Sequence, residues 1–535
     1  MINKVKIVVD NSKTDIDFNL LNNKLVINST LLSSNNSFDI EFHCNFKIAS
    51  FRNHDYTWVD LSHDRIATSF SPKIIKLENL NYIQANTNIG IWEVSKSNPY
   101  VLLWRFNPEF SSPITKYSNP NNSKIIESAN SEYDFYQNLE LLFSNKNALE
   151  ISRSKIPFSA IACFTDHCDF DTLNNLKAQR LFFKELKIKI SKGFFINHFS
   201  KRNDNASWQN DSEELAKWKD DGHELCYHSL SQSIKSDEES KDDFLNFNPP
   251  FETPTWIDHG YQPYNLSTYQ KNEYSSDFFS DTICNKKITT FWNYLDSGTA
   301  TTGVINQLNT SDFTLKSFYN GVKNKPFKKR VSLLIKNTIV HFYANETIIK
   351  KYASLASSFK IVTKTLNFKN LITFLKNLSS VSIPLIKTLF YWNSNKNKVY
   401  KCAKYSPVFF EHIIDNKNFI IFQTIELIDF ICGIDKNNID KLIQENGLFI
   451  AHTYFSVPMN YHDGRIFLEN ESINPKVKEN FKYLSQKIEQ NTIWNPTINE
   501  MVNQYKEFQK VIFDCDENGF IFIKNTTSIL QRNVT

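Results

Sequence analysis

The run Ser159-Ala160-Ile161-Ala162-Cys163-Phe164 constrains this chain more than any other stretch. It is continuous, small or apolar, and too short for a helix, so it reads as a strand buried on both faces. Leu173, Leu176, Phe183 and Leu186 then recur at helical spacing, and Gly193-Phe194-Phe195-Ile196 forms a second apolar strand. An acidic-start helix over Asp211 to Lys219 follows, with a turn at Asp220-Asp221-Gly222 and a third strand into Tyr227. Strand and helix in alternation predict a parallel sheet with crossover helices. Later strands are expected over Ile288 to Tyr294, Phe419 to Ile425 and Leu448 to Phe455, with a terminal hairpin from Val511–Phe513 and Gly519–Ile523.

Residues 1–150 have a different rhythm. Lys24 to Ile27, Phe38 to Phe42, Ile89 to Val94 and Tyr100 to Phe106 are short runs separated by Asn, Ser and Pro clusters, as in a small β-sandwich. A short helix near Tyr133 to Phe143 is expected to close this unit. Trp92 and Trp104 read as core before they read as sugar platforms.

Glycine is scarce, at 11 of 535 residues, and no G-x-G-x-x-G occurs. Gly298 to Gly303 lacks the Lys and Ser/Thr of a phosphate-cradling loop, so nucleotide sites of both kinds are excluded. The eight cysteines contain no C-x-x-C pair, which argues against a zinc ribbon or a disulfide framework. The start of the chain has no apolar signal-like core, and no apolar run reaches the ~18 residues of a spanning helix. A cytoplasmic protein with free thiols is the expectation.

The chain carries 61 basic and 57 acidic residues, a net charge of +4. That balance conceals a segregation. Residues 321–405 hold 17 Lys or Arg and a single acid, Glu346. Within them Val331, Leu334, Ile335 and Phe342, then Leu371, Phe374, Leu375 and Leu378, fall at helical spacing, and an aromatic cluster ends the segment at Leu389 to Trp392. Basic amphipathic helices of this kind lie in the headgroup layer of anionic membranes. A solvated basic face packed on its own domain is the other structural reading. An anionic membrane surface is the expected partner of residues 321–405, placing the protein peripherally on the inner face of the membrane; nucleic acid is not expected.

Five of the twelve histidines fall between His167 and His259. His167 follows the first buried strand in Asp166-His167-Cys168-Asp169, His228 ends the third, and His259 lies in Trp256-Ile257-Asp258-His259-Gly260. A late apolar strand delivers His452. Parallel α/β barrels gather their reactive groups at the carboxyl ends of strands. Imidazole and carboxylate collected there can hold a zinc-type divalent ion with a position open for water. His223 precedes its strand and reads as structural. His43, His54 and His63 show no cluster.

These residues resemble the polysaccharide deacetylase (NodB-homology) superfamily of metal-dependent glycan deacetylases. Phe164-Thr165-Asp166-His167 resembles its first motif, Thr-Phe-Asp-Asp. Gly222-His223-Glu224 with His228-Ser229 resembles its second, and the strand bearing His452 its last. The second motif's final histidine is Gln232 here, His167 stands where the metal-binding aspartate is usual, and the Arg-x-Pro type of third motif is absent. The resemblance implies a distorted (β/α) barrel over residues 151–320 and 406–535, interrupted by the helical insertion 321–405 and preceded by the β-rich residues 1–150. It also implies hydrolysis of an N-acetylated sugar in a bacterial surface glycan or its lipid-linked precursor. Asp166 is then the expected general base and His452 the general acid. A rewired metal set of His167, Asp169, His228 and His259 is expected to hold a divalent ion of the zinc type. Trp256 offers a face to a sugar ring, and Asp258 binds a hydroxyl or orients His259. A glycan-binding or scaffold protein on the same fold is the alternative.

Overall fold

The computed structural model describes residues 1–535 apart from 28–36, 118–123, 130, 132–137, 203, 269–275, 294–301, 366, 406, 428, 458–463, 469–471 and 535. The amino-terminal region is a sandwich of a six-stranded and a seven-stranded antiparallel sheet. Its inner faces meet in one core that includes Phe42, Phe51, Ile83, Trp92 and Trp104. Both tryptophans are wholly buried, so they are core and not sugar platforms. The helix expected near Tyr133 to Phe143 is not there: Leu139–Ser144 is a central strand of the seven-stranded sheet, and 133–137 lie outside the described residues. Leu139, Leu141, Leu142 and Phe143 carry that strand into buried positions, which overrides their helical spacing.

The second region is a mixed α/β unit around one curled sheet. Strands Ala160–Asp166, Ser191–Phe194, Glu224–His228, Thr255–Ile257 and Thr290–Trp292 pair in sequence order and in parallel. Lys417–Phe422 extends the sheet on one side, and Leu448–Thr453 with Ile425–Glu426 on the other. Only Gln423 and Thr424 separate Phe422 from Ile425, yet those strands lie on opposite flanks of the sheet. Three residues span at most about 10 Å, so the two flanks are drawn close together. No ladder joins them among the described residues, and the sheet is a curled half-barrel, not a closed (β/α) barrel.

Strand periodicity sorts the side chains between two layers. Ala162, Phe164, Leu225, Tyr227, Trp256, Phe291 and Phe449 face the helices, with Leu176, Phe183, Leu215, Trp218 and Phe481. Ile161, Cys163, Cys226, Ile257, Trp292, Ile420 and Ile450 fill the concave side. Helix Ile498–Lys510 covers the amino ends of the strands, where Ile498 N–H donates to Ser191 Oγ and Asn499 N–H to Glu224 Oε2. The expected terminal hairpin is present as Phe513–Cys515 with Ile521–Ile523.

The ties between the regions include a strand pair and a hairpin. Strand Ala148–Ile151 pairs with the carboxyl-terminal strand Gln531–Val534. A hairpin of Pro113–Tyr117 and Lys124–Ser128 reaches the α/β unit, where Asn293 Oδ1 accepts from Thr115 N–H and its Nδ2 donates to Pro113 O. Residues 321–405 are largely helical, as expected. Helices Glu346–Thr365 and Phe368–Phe390 form an antiparallel hairpin packed on each other.

Candidate functional site

The carboxyl ends of the central strands carry a buried cluster of imidazoles. Parity decides its members. His167 has the parity of Ile161 and Cys163, His228 that of Cys226, His259 that of Ile257, and His452 that of Leu448 and Ile450. All four therefore project to the concave side, one step beyond the hydrophobic filling. Gly193 leaves the room: a Cβ there would lie 2.8 Å from the Asp166 carbonyl oxygen and 3.4 Å from His228 Cβ.

His167 is the hub. Its ring stacks on His452 at 4.1 Å between centroids, meets His228 edge-on at 4.4 Å, and is flanked by Trp292 and Tyr454, each at 4.8 Å. It is buried, and neither ring nitrogen has a hydrogen-bond partner among the described residues. Burial, with the neighbouring His452 and His228, holds its pKa well below the ordinary imidazole value, so the ring is neutral near pH 7.

Asp169 is the cluster's carboxylate. Its Oδ2 lies 3.0 Å from His228 Nε2 and its Oδ1 3.1 Å from His259 Nε2, with Arg202 Nη2 at 3.4 Å. Burial pushes its pKa up, but the histidine contacts outweigh burial and hold it well below the usual carboxylate range. His228 Nδ1 lies 3.2 Å from the Ile257 carbonyl oxygen, which can only accept, so that nitrogen carries the hydrogen. Burial lowers the His228 pKa against the pull of Asp169. Without a proton or a cation between them, a neutral His228 would turn a bare Nε2 lone pair toward a carboxylate oxygen. Two acceptors at hydrogen-bond distance require a cation or a proton between them.

His167, Asp169 and His228 each offer a ligand atom, all within 4.8 Å of one another. Two neutral imidazoles and one ionised carboxylate are the donor set of a catalytic divalent-metal site, and the orphaned nitrogens of His167 fit that use. His259 does not join this group of three; it reaches the cluster through Asp169.

Other expected site residues stand elsewhere. Asp166 has the opposite parity to His167 and points to the helix layer. Its carboxylate contacts Lys192 Nζ and accepts from Thr453 Oγ1 and Phe455 N–H. Lys192 also donates to Asp171 Oδ2 at 2.5 Å and Gln179 Oε1 at 2.9 Å. All the expected general base's partners are therefore structural. Burial pushes the Asp166 carboxyl up to about 7 against the pull of Lys192. Trp256 is wholly buried beside Tyr227 and Phe247, which removes it as a sugar platform. Asp258 accepts from Trp256 Nε1, Leu266 N–H and Ser267 N–H, so it fixes the loop after the strand. His223 Nδ1 accepts from Ile190 N–H, as its position suggested, and Gln232 accepts from Ser200 and Ser233.

Trp292 and Tyr454 were not anticipated at the site. Trp292 follows the parity of the concave side, a signal already present in Thr290-Phe291-Trp292. Cavities of about 800 Å³ and 610 Å³ lie at the base of the insertion, and neither touches the cluster.

No protein-family model matches the chain, and no curated protein matches it. Solved structures with some likeness include a xylosidase from Aspergillus niger, at 11% identity and a TM-score of 0.19 over 54% of this chain and 41% of that one. A dextranase of glycoside hydrolase family 31 from Flavobacterium johnsoniae, complexed with glucose, is 8% identical at a TM-score of 0.26 over 86% of this chain and 55% of that one. Likenesses this slight do not bear on the chemistry of the site.

Proposed function

We propose that the chain is a divalent-metal-dependent hydrolase of the polysaccharide deacetylase type, built on a curled half-barrel sheet. Its proposed reaction removes acetate from an N-acetylated sugar of a bacterial surface glycan or its lipid-linked precursor. The buried cluster of His167, Asp169 and His228 carries this reading, because those residues supply the donor set and little else explains an orphaned, neutral His167.

A divalent ion bound by these three residues supplies Lewis-acid polarisation of a carbonyl and a water of lowered pKa. The remaining work falls to the protein. Asp169 bridges to His259 and fixes that ring through Nε2, leaving Nδ1 without a described partner and able to hold a proton. His452, stacked on His167, is the proposed donor of a proton to the nitrogen of the departing amine as the C–N bond breaks. Trp292 and Tyr454 wall the cluster and restrict water.

Asp169→Asn should abolish stoichiometric metal in the purified protein by elemental analysis, while His452→Gln should keep metal and lose about 10²–10⁴ in kcat. Purified protein with no bound metal and no acetate released from N-acetylated glycans would refute the hydrolase. One observation favours a glycan-binding or scaffold protein instead: Lys192 occupies the carboxylate expected as base. A binder would keep full glycan affinity in the Asp169→Asn and His452→Gln variants and show no turnover in any form.

A further inference from the structure

Helix Phe368–Phe390 presents an exposed apolar face. With 100° per residue, Phe368, Ile372, Leu375, Ile383, Ile386 and Phe390 fall within about 80° of one another. These six side chains are 52–80% exposed. The opposite side of the helix is where Val381 and Thr388 are buried and where Asn377 Nδ2 donates to Ser358 Oγ. The apolar stripe therefore runs about 34 Å along the outside of the hairpin.

Lys369, Lys376 and Lys387 all lie along one edge of this stripe, about 80–100° round from Phe368. None has an ion-pair partner among the described residues. The whole segment of 17 basic residues has one acid, and Glu346 sits 3.4 Å from Lys350. An apolar cavity of about 610 Å³ continues the surface at the helix end, lined by Leu334, Leu385, Leu389 and Trp392 with Lys316 and Lys396.

We propose that this hairpin docks the protein on an anionic lipid bilayer, with helix Phe368–Phe390 lying in the plane of the headgroups. The stripe enters the acyl boundary while the lysine edge snorkels to lipid phosphates. No helix among the described residues is long and apolar enough to cross a membrane, and three lysines along one edge suit an in-plane helix. A second copy of the chain is disfavoured as occupant because each copy would bring the same unpaired positive edge. Nucleic acid suits the charge but not a stripe in which four of the six residues are aliphatic. This inference stands apart from the proposed hydrolysis, since none of its residues touches the imidazole cluster.

The test is co-sedimentation of the full chain with phosphatidylcholine vesicles, with and without phosphatidylglycerol. Binding should need the anionic lipid and should weaken as salt rises from about 0.1 M to 0.5 M. Lys369→Glu with Lys376→Glu and Lys387→Glu should weaken it by at least about 100-fold. Ile372→Glu with Ile386→Glu should weaken it by at least about tenfold without changing the melting temperature, because both side chains are exposed. Equal binding to neutral vesicles, unchanged binding by either variant, or a stripe-dependent dimer or RNA complex in place of vesicle binding would overturn the proposal.

Discussion

Asp166 and His167 are neighbours in the chain and lie on opposite sides of one strand. His167 enters a nest of imidazoles and Asp166 an ion cluster with Lys192 and Asp171. Burial gives His167 and His228 a shared consequence for pH. Both have folded pKa values below the ordinary imidazole value, and in the unfolded chain they return to about 6.5. Below that pH the unfolded state takes up protons that the folded state refuses, so stability falls with acid. Above it their contribution is complete. The urea midpoint of the metal-free protein should fall from about pH 7 to pH 5, and His167→Gln should make that fall shallower. An unchanged slope in the variant would show that His167 is not held neutral.

At the scale of elements, the site is positioned by strands that end at the same level. His167 N–H donates to Thr453 O, and Thr165 pairs with His452 across the parallel ladder, which sets the two rings face to face. Strand Ser191–Phe194 contributes no side chain to this cluster from position 193, and that is its role. Gly193→Ala would press a methyl group against the Asp166 carbonyl and toward His228. It should cost about 1–3 kcal/mol by chemical denaturation, and metal titration should show weakened binding through the displaced His228. Wild-type stability with unaltered metal affinity would mean that the strand yields without disturbing the ligands.

For the whole molecule, the sandwich and the α/β unit share a charged seam. Glu150 accepts from Arg52 at 2.8 and 2.9 Å and from Arg532 Nε at 2.6 Å, so residues from both ends of the chain meet on one buried carboxylate. Glu150→Ala leaves the buried Arg52 uncompensated and should destabilise by about 3–5 kcal/mol. It should also loosen strand Gln531–Val534 from Ala148–Ile151, visible as faster amide exchange in both. Unaltered exchange would place the strength of the seam in its backbone pairing. Charge is the other property of this scale. Setting aside residues 321–405, with 17 bases and one acid, leaves 44 bases and 56 acids, so a net charge of +4 describes an acidic body bearing a basic arm.

The order of strands and helices from Ser159 to Tyr227, the basic amphipathic insertion and the histidines at strand ends were all legible in the sequence. Each rests on local pattern: apolar runs, helical spacing, and the rule that a strand's last residue lies at its rim. Parity was legible too, in Ile161-Ala162-Cys163 and Leu448-Phe449-Ile450, but a run apolar at every position does not say which face is concave. Only the curl of the sheet decided that, and with it the fate of Asp166, Trp256 and Asp258. His167, Asp169 and His228 were among the four ligands expected, but that these three meet while His259 reaches them only through Asp169 belongs to tertiary structure. The sequence alone determined which groups were present at the carboxyl ends of the strands. The three-dimensional packing decided which were claimed by Lys192 and by loop amides, and which converge on Asp169 and His167.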